Sequence, residues 1–167
     1  YLLIGHDNGS ISTTQTSDLN TSFDKRTVRE WKVEHTSSVG AINMKFSTLP
    51  ALATGQSYVL LGDSDGDFSS GSTAIKYANN TTFSNITFPA GTSYFTIAII
   101  TNKIEFTLTS NSDGEDNGTN LPAIAVFGYI PSPTAITLNL SGTASNGTDY
   151  TSPSLSIPAG IYDGQPV

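Results

Sequence analysis

Apolar residues along this chain alternate with polar ones or cluster in short runs, and no long stretch repeats them at helical spacing. Clusters of Gly, Asn, Asp and Pro punctuate the runs, as in Asp7-Asn8-Gly9, Ser64-Asp65-Gly66 and Asn146-Gly147. The pattern predicts strands near Tyr1–Gly5, Thr27–Glu34, Gly40–Phe46, Ser57–Asp63, Thr73–Tyr77, Thr81–Phe88 and Ser93–Thr101. A second group falls near Ile104–Thr109, Leu121–Tyr129, Ala135–Thr143 and Ser154–Ile157. Within Thr27–Glu34 the alternation sets Val28, Glu30, Lys32 and Glu34 on one face and Arg29, Trp31 and Val33 on the other, and the bulk of Trp31 argues for burying its own side.

Many short strands at this spacing predict an all-β chain of antiparallel sandwiches. The break between the apolar strand ending near Thr101 and the new one at Ile104 divides the chain into modules 1–101 and 102–167. No Gly/Ser or Pro-rich linker separates them, so the expectation is a stiff joint between stacked modules.

Composition narrows the function. Charged residues make up 13% of the 167 residues, about half the usual share. Ser, Thr, Asn and Gly take their place, the texture of an exported β-protein. A net charge of -7 argues against nucleic acid, which needs a basic face. The absence of Cys excludes disulfides and thiolate metal sites. No apolar run approaches the roughly 20 residues of a membrane helix, so no membrane insertion is expected.

Acidic residues supply the candidate chemistry. Asp63, Asp65 and Asp67 stand at alternate positions in one turn, where three carboxylates can converge on a hard cation such as calcium. The spacing opens like an EF-hand loop, but Phe68 occupies the position of its glycine and Ala74 that of its bidentate glutamate. The competing reading is a polar turn whose Asp side chains bond their own backbone. Asp113, Glu115 and Asp116 crowd a second loop, which a cation or solvent must neutralise. His6 and His35 are isolated and read as surface histidines rather than ligands or bases. Arg29 and Glu30 beside Trp31 suit a cross-strand ion pair or a cation–π contact. An exposed Trp31 would instead make a sugar-binding patch. Asn-x-Ser/Thr triplets follow from the composition. The chain has no Gly-x-Ser-x-Gly elbow, no Cys nucleophile, no zinc-spaced His pair and no phosphate loop, which points away from an enzyme.

Two stretches resemble known families. The strand I-E-F-T-L-T-S-N-S-D-G-E-D-N-G from Ile104, the Pro131-Ser132-Pro133 turn, the strand Ala135–Thr143, the Gly147-Thr148-Asp149-Tyr150 signature and S-L-S-I-P-A-G resemble the front half of a Calx-β domain. That resemblance implies an immunoglobulin-like sandwich, here incomplete, with calcium held at one tip by Glu115 and Asp149, flanked by Asp113 and Asp116. The segments L-L-I-G-H-D-N-G-S, R-E-W-K-V, Y-V-L-L-G-D-S-D-G-D-F-S-S-G and T-F-S-N-I-T-F-P-A-G-T-S-Y-F-T-I-A resemble the C-terminal part of an uncharacterised β-rich domain. Such domains occur in very large bacterial surface proteins, many exported by type IX secretion and some adhesins in gliding motility. Together these imply two consecutive immunoglobulin-like antiparallel modules, the second incomplete, within a longer extracellular protein. The expected role is a non-catalytic structural and adhesive module at the bacterial cell surface. Its expected partners are neighbouring modules of the same polypeptide, cell-surface glycans and the secretion machinery. The alternatives are a carbohydrate-binding module of a secreted enzyme and a filament subunit assembled by strand addition.

Overall fold

The computed structural model describes residues 1–36, 39–107, 123–137, 142–143 and 154–166. The chain is all-β, and every pairing with a described register is antiparallel. It forms two compact units, Tyr1–Lys103 and Ile104–Val167.

The first unit is built on two apolar strands. These are β6 (Gln56–Asp63) and β9 (Tyr94–Thr101), paired in unbroken register from Gln56↔Thr101 to Asp63↔Tyr94. Both run apolar on successive residues, so the pair is hydrophobic on both faces and needs cover on each. Tyr58, Leu60, Phe95, Ile97 and Ile99 face one core, and Val59, Leu61, Ala98 and Ile100 face another. A two-stranded ribbon of β5 (Ile42–Lys45) and β8 (Thr82–Ile86) lays Phe83 and Ile86 on the first core. Leu19, Phe23 and the fully buried Phe68 cover the second.

Around this pair stand β7 (Thr73–Ala78) beside β6, and β3 (Lys25–Thr27) and β4 (Trp31–His35) along the far edge of β9. Outermost lie β1 (Leu2–His6) against β4 and β2 (Thr14–Gln15) against β3. Trp31 is buried, stacked on Phe95 at 5.1 Å and 3° and edge-on to Phe46 at 5.4 Å. Its side of the strand is therefore the core side, with Val33, while Lys32 and Glu34 reach solvent or the rim.

The single strand expected over Thr27–Glu34 is corrected to two. Arg26 pairs with Ala98 and Trp31 with Phe95, so the four residues Thr27–Glu30 oppose only Thr96 and Ile97. This wide bulge cannot use the ladder, and its backbone groups find other partners. Val28 N–H donates to Thr13 O at 3.1 Å, Arg29 N–H to Ser10 O at 3.0 Å and Glu30 N–H to Asp7 Oδ1 at 3.2 Å. Glu30 O accepts from Asp7 N–H at 3.2 Å. The buried Thr96 hydroxyl donates to Arg29 O at 2.9 Å from the β9 side. The loop between β1 and β2 thus serves as the missing partner of the bulge. Gly9 makes that docking possible. A Cβ there would lie 2.9 Å from Val28 O and 3.0 Å from Arg29 Cα, with no flexible side chain to yield.

In the second unit β10 (Lys103–Phe106), β11 (Ile124–Ile130) and β14 (Gly160–Pro166) form one sheet, and β12 (Thr134–Ile136) pairs β13 (Leu155–Ile157). Ile124, Val126, Ile130 and Ile157 make its core.

Gly9→Ala should cost about 1–3 kcal/mol of stability, the usual penalty for forcing extra volume into a packed site. Gly5→Ala, where an added Cβ meets nothing within 4 Å, should be nearly neutral. Urea unfolding of both variants checks this, and equal effects would show that the docking of Gly9 is not what holds the bulge.

Candidate functional site

Three features of the first unit bear on function: the acidic turn after β6, the buried arginine beneath it, and a cleft at the end of β4.

The acidic turn is a chain of self-capped Asx turns. Asp63 is buried at the end of β6, and its Oδ1 accepts from Asp65 N–H and Gly66 N–H, both at 2.8 Å. Asp65 Oδ1 accepts from Asp67 N–H at 2.9 Å. Asp67 Oδ1 accepts from Ser69 N–H at 3.0 Å and from the Ser69 hydroxyl at 2.5 Å. The alternate spacing that suggests a cation loop is also the spacing of successive side chain-to-backbone caps. The Asp67 amide on its carboxylate lowers the pKa of Asp65, and the Ser69 hydroxyl and amide do the same for Asp67. Among the described residues no three acidic or histidine side chains gather as a metal site. Asp113, Glu115, Asp116 and Asp149 lie outside the described residues.

Beneath this turn sits Arg26, only 2% exposed. Its Nη2 pairs with Asp18 Oδ2 at 2.6 Å and Glu30 Oε1 at 2.7 Å. Nε donates to Asp18 O at 3.0 Å and Nη1 to Thr27 O at 3.2 Å, while the guanidinium lies 5.1 Å from the Phe68 ring centroid. A buried cation is tolerable when its donors and charge are answered in this way. Asp18 adopts φ 55, left-handed backbone that Asp accepts more readily than most residues. Its carboxyl also meets that of Asp67. Burial first, and that neighbour second, raise the Asp18 pKa above its ordinary value against the pull of Arg26.

The expected partnership of Arg29, Glu30 and Trp31 is divided. Glu30 pairs with Arg26, whereas Arg29 lies 6.0 Å from the Trp31 ring centroid and donates Nε–H to Gly9 O at 2.7 Å. His6 Nδ1 accepts from Asn8 N–H at 3.1 Å, and the His35 ring tilts against Phe88 at 5.9 Å.

The cleft, of about 600 Å³, has an apolar floor of Val33, Ile86 and Phe88 and a rim that includes Tyr1, Thr36 and Thr92. Its rim is braced by backbone. The turn Pro89-Ala90-Gly91-Thr92 closes with Thr92 N–H on Pro89 O at 3.1 Å, and Gly91 supplies the positive φ of 87° that a type II turn requires at its third residue. Ser93 then donates N–H to Asp63 O at 2.9 Å and accepts from Val33 N–H at 2.8 Å, fixing the turn to β6 and β4 at once. Nothing in the strand pattern marks this cleft, because its walls come from three segments distant in sequence.

A family model described as a domain of unknown function, DUF8202, matches residues 1–92. No curated protein and no solved structure matches the chain.

Replacing Arg26 by Ala should destabilise the first unit by about 1–3 kcal/mol, since it removes a buried guanidinium and its charge-assisted hydrogen bonds to two partly exposed carboxylates. Urea unfolding measures it, and a loss below about 1 kcal/mol would show that the ion triad is dispensable. The acid limb has opposite signs for the two aspartates. A raised pKa means that folded Asp18 holds its proton above the ordinary value of 3.8, so its contribution falls as pH rises through that window. Asp67, whose pKa is lowered, stabilises above 3.8 and loses that contribution as pH falls below it. Carboxyl NMR should find Asp18 titrating above Asp67. Asp67→Asn should lower the Asp18 midpoint without returning it to the ordinary value, because burial remains.

Proposed function

Since the chain belongs to the DUF8202 family, which carries no assigned activity, we propose from its own residues that it is a non-catalytic structural and adhesive module of a large secreted bacterial surface protein. The observation that carries this reading is the placement of Trp31. The only tryptophan of the chain is stacked into the core on Phe95 rather than offered as a platform for a polysaccharide. This favours a scaffold over the carbohydrate-binding module of a secreted enzyme that an exposed Trp31 would suit. A braced sheet core and a surface rich in Ser, Thr and Asn support the same reading.

In this proposal the module works in series with neighbouring modules of its polypeptide, as a spacer and a cell-surface contact. The resemblance of the second unit to a Calx-β domain assigns calcium to Asp113, Glu115, Asp116 and Asp149, where it would stiffen one tip of that sandwich. The Asp63, Asp65 and Asp67 turn is a second calcium candidate, and capping of its own amides is the competing account of the same spacing. The resemblance of the first unit to a β-rich domain of very large bacterial surface proteins, many exported by type IX secretion, supports an extracellular location.

Trp31 should fluoresce at short wavelength and resist acrylamide quenching, before and after addition of insoluble polysaccharides. Beads coated with the chain should be retained on bacterial cells under flow. Retention no better than on albumin-coated beads, or hydrolysis of a polysaccharide by the chain, would overturn the proposal.

A further inference from the structure

Resting on the reading of a module that works in series, we propose that the first unit is a mechanical clamp, in which tension between the start of β1 and the exit of β9 loads the strand ladders in shear. Direction comes first. β4 runs antiparallel to β9 and β1 antiparallel to β4, so β1 and β9 point the same way. Leu2 lies opposite His35, and Lys32 opposite Tyr94, which puts the start of β1 at the end of the sheet where β9 begins. β9 leaves at Thr101, opposite Gln56, at the other end. A pull between these two points runs along the strands. Antiparallel ladder bonds lie across the strands, so such a pull strains many of them at once, whereas a pull across the sheet opens them singly.

The entry side is bonded over its whole length. β1 makes five pairs with β4, from Leu2↔His35 to His6↔Trp31, and β2 makes two with β3, Thr14↔Thr27 and Gln15↔Arg26. Between these pairings the bulge would leave a gap, and the docked loop fills it. Asp7 N–H donates to Glu30 O, Arg29 N–H to Ser10 O and Val28 N–H to Thr13 O. Arg29 Nε–H on Gly9 O, at 2.7 Å, fastens the middle of the loop. Leu2 to Gln15 thus forms one strap laid against residues 26–35, and the bulge is where a pull on β1 is handed on to β2.

The exit is held on both flanks. β9 keeps eight pairs with β6 on one side and pairs with β3 and β4 on the other. At its end the Thr101 hydroxyl donates to Asp24 Oδ2 at 2.5 Å, beside β3. Asn102 donates N–H to Gly55 O at 2.8 Å and Nδ2–H to Ser57 Oγ at 3.1 Å, on the β6 side. Trp31 is stacked on Phe95 across β4 and β9, so sliding one strand past the other also breaks the aromatic core.

The test is single-molecule pulling of the whole chain in two directions. The chain has no Cys, so introduced pairs define where force is applied. Tyr1→Cys with Lys103→Cys loads the ladders in shear. Thr54→Cys with Lys103→Cys pulls from the same exit but opens β6 and β9 pair by pair from Gln56↔Thr101. At equal loading rate the first pair should rupture at about twice the force of the second or more, since forced unfolding reads the barrier along the pulled direction. Arg29→Ala, which releases Gly9 O, should lower the rupture force of the first pair and leave the second unchanged, whereas a merely destabilising change would lower both. The proposal falls if the two directions rupture at equal force, or if Arg29→Ala lowers both alike. Bead retention separates it from the adhesive reading. Cells that hold the beads while both directions rupture alike sink only the clamp, whereas a directional clamp without retention sinks the adhesive role.

Discussion

Everything in the first unit answers to one constraint: β6 and β9 are apolar on both faces, and each face must be kept from water. An eight-residue antiparallel pair alternating Tyr58-Val59-Leu60-Leu61 against Ile97-Ala98-Ile99-Ile100 cannot stand as half of a one-sided sheet. The chain meets the demand unequally. One face receives a ribbon of strands, β5 and β8, and an aromatic group of Trp31, Phe46, Phe83, Phe88 and Phe95. The other face is roofed by irregular chain, with Phe68, Leu19 and Phe23 reaching down from loops. Loops laid over a core must satisfy their own backbone, which explains the density of Asx caps in the turn above β6.

The same division explains what the sequence made legible. Continuous apolar runs and clean turns are local signals, so β6, β7, β8 and β9 emerge with only their ends displaced. The bulge at Thr27–Glu30 does not emerge, because the residues that complete it, Asp7, Ser10, Thr13 and Thr96, lie in other segments. β14 was invisible for a different reason. Its sequence Gly-Ile-Tyr-Asp-Gly-Gln-Pro has poor intrinsic strand propensity, and pairing with β11 overrides that. Trp31 was legible as a core residue from its bulk, but Arg26 was not. In an unbroken strand Arg26 and Glu30 would stand about 13 Å apart, at 3.3 Å per residue. Only the bulge brings their charged ends to 2.7 Å.

The candidate sites divide along the same line. A motif such as Asp63-Ser64-Asp65-Gly66-Asp67 is visible because it is contiguous, and contiguity suits backbone capping as well as it suits a cation. The cleft beside β4 was invisible because Tyr1, Val33, Ile86 and Thr92 meet only after the ribbon and the sheet have come together. Its one local mark is Pro89-Ala90-Gly91-Thr92, a turn sequence that sets the rim.

Arg26 raises the question of why a buried cation was kept where an apolar side chain would fit. A buried ion pair is weak evidence for stability, since desolvating three charges offsets most of their attraction. Register is the better account. The Arg26–Glu30 contact can form only when two extra residues are accommodated opposite Thr96 and Ile97, and a slip by one residue would send Trp31 and Val33 to the solvent face. Asp18 adds a second condition, because its loop must fold back at a left-handed residue to reach the same guanidinium. The ion contacts of Arg26 form in the observed register, and that register holds β4 where its backbone braces the Ser93 wall of the cleft.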